Sequence, residues 1–178
     1  MRPTLSSGSA RAVAVVAMLV AVGAILGIVE TAFAPAIPVP GVRLGLANLA
    51  VVLALALVGR GAALRVTLMR VLVVALATGS LGGPAFAMAL AGAVCSWAVM
   101  AWLSTLRSVS VIGWSVGGAA AHVAAQLAVA SLLTGTTVPL LLAPFSLLLA
   151  LGCGLVVGYS SHLLVSRLPL TSAEFGAR

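Results

Sequence analysis

The amino-acid sequence predicts an all-α integral membrane protein, built as a bundle of about six transmembrane helices. Of the 178 residues, 63% are hydrophobic and only 6% are charged, whereas a soluble domain carries roughly 25% charged residues. The mean hydropathy is +1.31. Because so few polar residues cannot cover the chain against water, lipid must be the solvent for most of it.

Six apolar segments are long enough to cross a bilayer, whose hydrocarbon core needs about 20 apolar residues per helix. They lie at about 11–30, 43–59, 62–82, 84–105, 111–134 and 138–165. The runs lack the period-2 alternation of membrane β-barrels and are too long for barrel strands. Since no linker, low-complexity stretch or convincing repeat divides the sequence, we expect a single transmembrane domain over residues 1–178.

The first segment has two features of a cleaved signal peptide: arginines precede it, and the sequence AFA at 32–34 has the small residues of a cleavage site. Its apolar run is longer than the usual signal-peptide core, and Pro35 would directly follow the cut. We therefore expect a retained first helix.

Small residues recur at four-residue spacing in and around this first helix. The pairs are Ala10/Ala14, Ala17/Ala21 and Gly23/Gly27. Such spacing lets membrane helices touch backbone to backbone, although it arises easily by chance in so alanine-rich a chain. The pattern indicates a smooth ridge that another membrane helix could contact.

Arginine placement predicts the orientation in the membrane. The chain has nine arginines and no lysine, and seven of the arginines lie in the N-terminus, the second and fourth loops and the C-terminus: Arg2, Arg11, Arg60, Arg65, Arg107, Arg167 and Arg178. Because basic residues are enriched on the cytoplasmic side, we expect both termini in the cytoplasm. The arginines form no patch, so the net charge of +7 does not indicate nucleic-acid binding.

The second segment begins with an unusually polar and stiff sequence, PVPGVRLGLAN at residues 38–48, which the topology places in an outer loop. Its prolines and glycines are expected to turn the chain so that Arg43 and Asn48 face a cavity. Two interpretations of Arg43 stay open. It pairs structurally with Glu30 across the loop, or it docks an anionic group while Glu30 positions it.

The third segment carries Arg70 roughly 12 Å deep, at 1.5 Å per residue. A charged group at that depth is expensive and suggests either function or a paired structural role. One interpretation is that Arg70 snorkels inward or bonds helix-end carbonyls. The other is that it lines a polar cavity facing an anionic ligand.

The fifth segment contains His122 and Gln126, which share one helix face because they are four residues apart. Gly117, Gly118 and the alanines before His122 would allow a neighbouring helix or a ligand to approach closely. The two side chains therefore either make an interhelical hydrogen bond or bind substrate.

The composition argues against an autonomous enzyme. Without lysine there is no P-loop, and without aspartate there is no aspartate-rich motif to hold magnesium and a prenyl diphosphate. The two histidines and two cysteines have no zinc-ligand spacing, and no nucleophile is accompanied by a base and an orienting acid. We expect no catalytic residue, no metal and no cofactor.

Three groups of residues resemble a bacterial membrane family called Gx transporters, also labelled heptaprenyl diphosphate synthase component I. They are Pro40 to Asn48, Arg70 with the following VLVVALATGSLGG, and His122 with Gln126, and the resemblance spans about residues 12–165. Two positions depart from the family pattern. Arg43 stands where the family has lysine, and Val123 stands where it has asparagine.

This family resembles the six-helix S components of energy-coupling factor (ECF) transporters, which capture a vitamin or its precursor near the outer face. The resemblance implies an S-component-like fold in a bacterial inner membrane, with a scaffold membrane protein and two cytoplasmic ATPase subunits as partners. We expect a small, anionic vitamin or isoprenoid-like or quinone-precursor-like substrate. Its expected contacts are Arg43, Asn48, Arg70, His122 and Gln126, with Ala17 and Ala21 facing the scaffold.

Two alternatives remain. The synthase label allows a non-catalytic membrane accessory subunit of a heptaprenyl or polyprenyl diphosphate synthase, although chain elongation itself needs magnesium-binding carboxylates and this chain has only two glutamates. The chain could also be a structural membrane protein whose polar residues pair with one another.

Overall fold

The computed structural model describes residues 10–33 and 45–167. Over these ranges the chain forms seven helices and no strand: α1 (Ala10–Phe33), α2 (Asn48–Leu57), α3 (Arg60–Ala77), α4 (Pro84–Leu103), α5 (Val111–Thr134), α6 (Val138–Leu141) and α7 (Ala143–Arg167). Of these, α1, α4, α5 and α7 are long and apolar enough to cross a membrane. The predicted all-helical, membrane-embedded class is therefore confirmed for the described residues.

Local sequence sets several helix ends. Pro84 lies in the first turn of α4, where its missing N–H costs nothing. Ser110 caps α5 because its hydroxyl oxygen accepts a hydrogen bond from the Gly113 N–H at 3.3 Å. Gly135 ends α5 with a φ of +65°, a left-handed conformation that favours glycine.

The second predicted span, 43–59, differs most from the structure. Its described part is helical only over the ten residues of α2, which measure about 15 Å at 1.5 Å per residue and cannot cross a bilayer. Gly59, with a φ of +116°, turns the chain directly into α3. Seven of the ten α2 residues are buried, and α2 packs against α1, α3, α4, α5 and α7. It is a central core helix.

Two other predicted spans also change. The third, 62–82, is helical as α3, which ends at Ala77 before a turn at Gly79 with a φ of +67°. The sixth, 138–165, is divided into α6 and α7. Pro144 lies at the start of α7. In a continuous helix it would lack the N–H that donates to the preceding turn, and its ring would clash with the carbonyl four residues earlier. The predictions 11–30, 84–105 and 111–134 overlap α1, α4 and α5 closely.

Glycines set the closest helix contacts. A β-carbon on Gly154 of α7 would lie 2.9 Å from the Val116 Cα of α5, and one on Gly158 would lie 2.9 Å from the Ile112 Cα. The backbones of α5 and α7 therefore touch and run antiparallel. On α1, Gly23 lies against Arg70 and Gly27 against Val74, so α1 and α3 run parallel.

These directions place the exposed arginines at one end of the bundle. The C-terminal ends of α1 and α3 and the N-terminal ends of α4 and α7 share the other end. The described arginines at the first end are Arg11, Arg60, Arg65, Arg107 and Arg167. Arg2 and Arg178, which the sequence also predicts to be cytoplasmic, lie outside the described residues.

Candidate functional site

A cavity of about 190 Å³ lies at the end of the bundle opposite the exposed arginines. Its walls come from the C-terminal parts of α1 and α3, the turn at 45–47, the start of α2, the N-terminal part of α4 and the middle of α5. Four of the side chains that line it carry a carboxylate, amide, guanidinium or imidazole group: Glu30, Asn48, Arg70 and His122. Three of the predicted contact residues are thus brought together although they are 22 and 52 positions apart along the chain.

Arg70 lies inside the bundle, with only 6% of its surface exposed. Its Nη2 donates a hydrogen bond to Asn48 Oδ1 at 3.0 Å. Gly23 of α1 makes room for the aliphatic part of this side chain, because a β-carbon there would lie 3.2 Å from Arg70 Cδ. The guanidinium therefore lies on the cavity wall and does not extend to the arginine-rich end of the bundle.

Asn48 is the first residue of α2 and is 5% exposed. The turn before it begins at Gly45, whose φ of +72° lies in the left-handed region that favours glycine. This turn brings the start of α2 against α3, so that the Asn48 amide reaches Arg70. The short turn at 45–47 explains why the motif residue Asn48 is buried next to a charge.

Glu30 near the end of α1 is 7% exposed and lines the same cavity as Arg70. Its Oε1 accepts a hydrogen bond from the Leu46 N–H at 2.5 Å, which ties the turn at 45–47 to α1. One formal positive and one formal negative charge therefore line the cavity. Arg43, the expected partner of Glu30 or of a ligand, lies outside the described residues.

His122 and Gln126 lie on the face of α5 that packs on α4. A β-carbon on Gly92 would lie 2.9 Å from Gln126 Cγ and 3.0 Å from the His122 ring, so the glycine makes room for both side chains. His122 lines the cavity. Gln126 is 3% exposed and lies in the α4–α5 interface, and its Oε1 has no hydrogen-bond partner among the described residues.

The small-residue pairs of α1 are divided between two faces. Ala14, Ala17 and Ala21 are exposed. Gly23 and Gly27 are buried against α2 and α3. Only the alanine part of the predicted ridge is available to another membrane helix, while the glycines serve packing inside the bundle.

Several cavity residues were not singled out from the sequence. Thr31, Thr78 and Ser80 add hydroxyl groups, and Phe86 adds an aromatic ring. The Thr31 and Thr78 hydroxyls each donate to the carbonyl four residues earlier, at 2.8 Å. The polar TGS stretch at 78–80 is the sequence signal for two of these residues. Hydropathy alone placed that stretch at the end of the predicted span 62–82.

The described residues contain no group of three or more His, Cys, Asp or Glu side chains that could hold a metal ion. The cavity can instead offer hydrogen bonds and a guanidinium to a bound molecule. Guanidinium groups form strong, charge-assisted hydrogen bonds with carboxylates and phosphates. The arrangement is therefore suited to binding a molecule that carries a carboxylate or phosphate group.

A family model described as heptaprenyl diphosphate synthase component I matches residues 19–164 of the chain. This range contains all seven helices except for the first turns of α1 and the last residues of α7. No curated protein and no solved structure matches the chain.

Proposed function

The chain belongs to the heptaprenyl diphosphate synthase component I family. We propose that it is the substrate-binding membrane subunit of an ECF-type importer. The observation that carries this proposal is Arg70, a charged side chain inside an apolar bundle that lines a cavity. Charged groups within membrane proteins are rare and mark substrate pathways or paired sites.

The proposed substrate is a small anionic molecule, of the vitamin type or resembling an isoprenoid or quinone precursor. Arg70 would bind its anionic group. Asn48 holds one nitrogen of the guanidinium, and His122 on α5 offers a further hydrogen bond. Gln126 would act indirectly, since it packs beside His122. Arg43 remains a proposed contact from the sequence.

In the proposed topology α1, α3, α4, α5 and the α6–α7 pair cross the membrane, and the short α2 runs back through the core between α1 and α3. We propose that this six-part arrangement is like that of ECF S components. The arginine-rich end would face the cytoplasm, together with both termini, because basic residues are enriched on that side. The cavity would then open toward the outer face of the bacterial inner membrane.

The proposed partners are an ECF scaffold membrane protein and two cytoplasmic ATPase subunits. The exposed alanines of α1, Ala17 and Ala21, are the proposed scaffold contact, because small residues let helices approach closely. An Ala17→Trp variant would then lose co-purification of the scaffold. A Leu132→Trp variant near the C-terminal end of α5 serves as the control, since Leu132 is 81% exposed and the described residues of α5 make no contact with α1.

Ligand binding is tested by thermal unfolding of the purified protein against vitamins, quinone precursors and prenyl phosphates. A ligand that binds only the folded state stabilises it by RT ln(1 + [L]/Kd). The expected result is a shift for at least one anionic compound that is lost in Arg70→Ala and kept in Arg65→Ala, an exposed arginine on the same helix. No shift with any compound, or equal shifts in both variants, would overturn the proposal.

The family description favours a second candidate, a non-catalytic accessory subunit of a heptaprenyl or polyprenyl diphosphate synthase. The two candidates differ in their partners. Isolation of the tagged protein from native membranes would bring down ATPase subunits if it serves an importer, and a soluble prenyl synthase subunit if it is an accessory. Prenyl product formation that depends on this chain would favour the second candidate.

A further inference from the structure

Three hydroxyl side chains line the polar cavity at the C-terminal ends of α1 and α3. They belong to Thr31 in the last turn of α1, to Thr78 directly after α3, and to Ser80 in the turn that follows. Gly27 lies against Val74 where the parallel helices α1 and α3 touch. Thr31 and Thr78 each come four residues, about one turn, after that contact. The two threonines therefore lie at the same level of the bundle, one on each helix.

Each of the two threonines already donates its one hydroxyl hydrogen to the backbone. Thr31 Oγ1 donates to the Gly27 carbonyl at 2.8 Å, and Thr78 Oγ1 donates to the Val74 carbonyl at 2.8 Å. A carbonyl oxygen carries no hydrogen, so in both contacts the hydrogen comes from the threonine. What each of these hydroxyls can still offer a bound molecule is an oxygen lone pair.

The position of the Ser80 hydrogen follows from the Thr78 bond. The Ser80 and Thr78 hydroxyl oxygens lie 2.9 Å apart, and either oxygen could be the donor by distance alone. Because the Thr78 hydrogen bonds the Val74 carbonyl, the hydrogen between the two hydroxyls comes from Ser80. All three hydroxyls therefore present acceptor oxygens to the cavity. We call Thr31, Thr78 and Ser80 the acceptor rim.

Deeper along α3, the cavity wall has the opposite hydrogen-bonding character. The Arg70 guanidinium can only donate hydrogen bonds. Arg70 lies eight residues before Thr78, which is about 12 Å along α3 at 1.5 Å per residue. It supplies a positive charge, whereas the acceptor rim carries no formal charge. A molecule that reaches both must accept hydrogen bonds at one end and donate one at the other.

From this arrangement we infer that the acceptor rim selects substrates that carry a neutral hydrogen-bond donor, a hydroxyl or an N–H group, away from their anionic group. The inference rests on the proposed function and narrows its substrate class to anions with such a donor. A ligand atom without a hydrogen would face oxygen lone pairs and displace the water that bonds them, which costs affinity. The rim residues therefore determine specificity, while Arg70 attracts all anions alike.

The double variant Thr31→Val/Thr78→Val removes both threonine oxygens while nearly keeping the shape of the side chains. It also takes away the acceptor of the Ser80 hydroxyl, which can then donate to a ligand as well as accept from one. The matched control is Thr105→Val/Thr134→Val. These two hydroxyls also donate to carbonyls at helix ends, at 2.7 and 2.8 Å, and neither lines the cavity.

The experiment measures the affinities of para-hydroxybenzoate, para-hydroxyphenylacetate and para-hydroxyphenylpropionate, each beside its methyl ether, for the full chain in lipid nanodiscs. The series varies the distance between carboxylate and phenol, and the ether lacks the phenol's hydrogen. In the native chain and in the control variant, at least one phenol should bind about threefold to tenfold more tightly than its ether. In Thr31→Val/Thr78→Val that ratio should fall to about one, while the ether affinities stay as in the native chain.

The outcomes separate the inference from the proposed function. Arg70-dependent binding with no preference for phenols, or a preference that the rim variant retains, would overturn selection by the rim but keep the binding subunit. The same holds if no phenol binds while another anion binds through Arg70. Loss of phenol and ether binding together in the rim variant would show that the threonines only shape the cavity, which also rejects selection. Absence of Arg70-dependent binding for these probes and for the wider panel would overturn both.

Discussion

In the half of the bundle formed by α4, α5 and α7, α5 and α7 touch backbone to backbone, whereas α1, α2 and α3 enclose the buried charged side chains of Glu30 and Arg70. Gly154 and Gly158 allow the α5–α7 contact. In the other half, Gly23 receives the Arg70 side chain, which in turn bonds Asn48.

The difference shows two ways in which helices associate in lipid, where the hydrophobic effect no longer drives them together. Small residues maximise close packing between apolar helices. Buried polar groups attract one another but have fixed sizes and bonding directions, and they leave space between helices. The polar half of this molecule accordingly contributes most of the cavity wall.

The backbone contact of α5 and α7 is the most sensitive point of the closely packed half. Gly154→Val would place side-chain atoms against the Val116 backbone, which cannot shift without moving the helix. We expect a loss of about 3 kcal/mol or more in the free energy of unfolding. Gly152→Val, two residues away in open space, should stay within about 0.5 kcal/mol of the native chain. Equilibrium unfolding in mixed micelles measures both, and equal stabilities would contradict the proposed role of the contact.

In the polar half, the corresponding change is Gly23→Val. A β-carbon there meets Ala50 Cβ at 3.1 Å and Arg70 Cδ at 3.2 Å, and the arginine side chain can partly move aside. The expected loss is about 2 kcal/mol, smaller than at Gly154 for that reason. The control is Ala17→Val on the exposed face of the same helix. The same unfolding assay applies, and a larger effect at Ala17 than at Gly23 would reverse the assignment of faces.

The Arg70–Asn48 hydrogen bond is tested by Asn48→Leu, which removes the acceptor from a charged donor. We expect a loss of about 1.5 kcal/mol in the free energy of unfolding. Asn48→Asp keeps an acceptor oxygen at the same position and should retain stability. Thermal unfolding of the native chain and the two variants at one detergent concentration compares their stabilities. Native stability in Asn48→Leu would mean that the bond contributes nothing.

The Glu30→Gln variant tests how the charge of the cavity wall affects ligand affinity, and its expected effect is the smallest of the four predictions. Glu30→Gln removes the negative charge but keeps an oxygen to accept the Leu46 N–H bond. The affinity for an anionic ligand should rise about threefold to fivefold, because one repulsive charge is gone. Titration of the compound that stabilises the native chain measures this, with Glu30→Asp as the control. Weaker binding in Glu30→Gln would show that the ligand carries a positive group.

Much of the fold follows from composition and local signals. The hydropathy of the segments located α1, α4 and α5, because each is a long run that can satisfy its backbone in lipid only as a helix. The placement of arginines between the runs anticipated the basic end of the bundle. The polar residues Asn48, Arg70 and His122 were candidate contacts on sequence grounds, because polar groups in lipid need a reason to be there.

Tertiary structure decided what local sequence leaves open. A helix that is apolar on every side carries no periodic signal for its inward face, so only packing shows that Gly23 and Gly27 turn inward while Ala17 and Ala21 turn outward. Whether an apolar run crosses the membrane or becomes a core helix such as α2 depends on its neighbours. The meeting of Arg70 with Asn48, and the cavity beside them, depends on contacts between helices far apart in the chain, which composition and hydropathy do not encode.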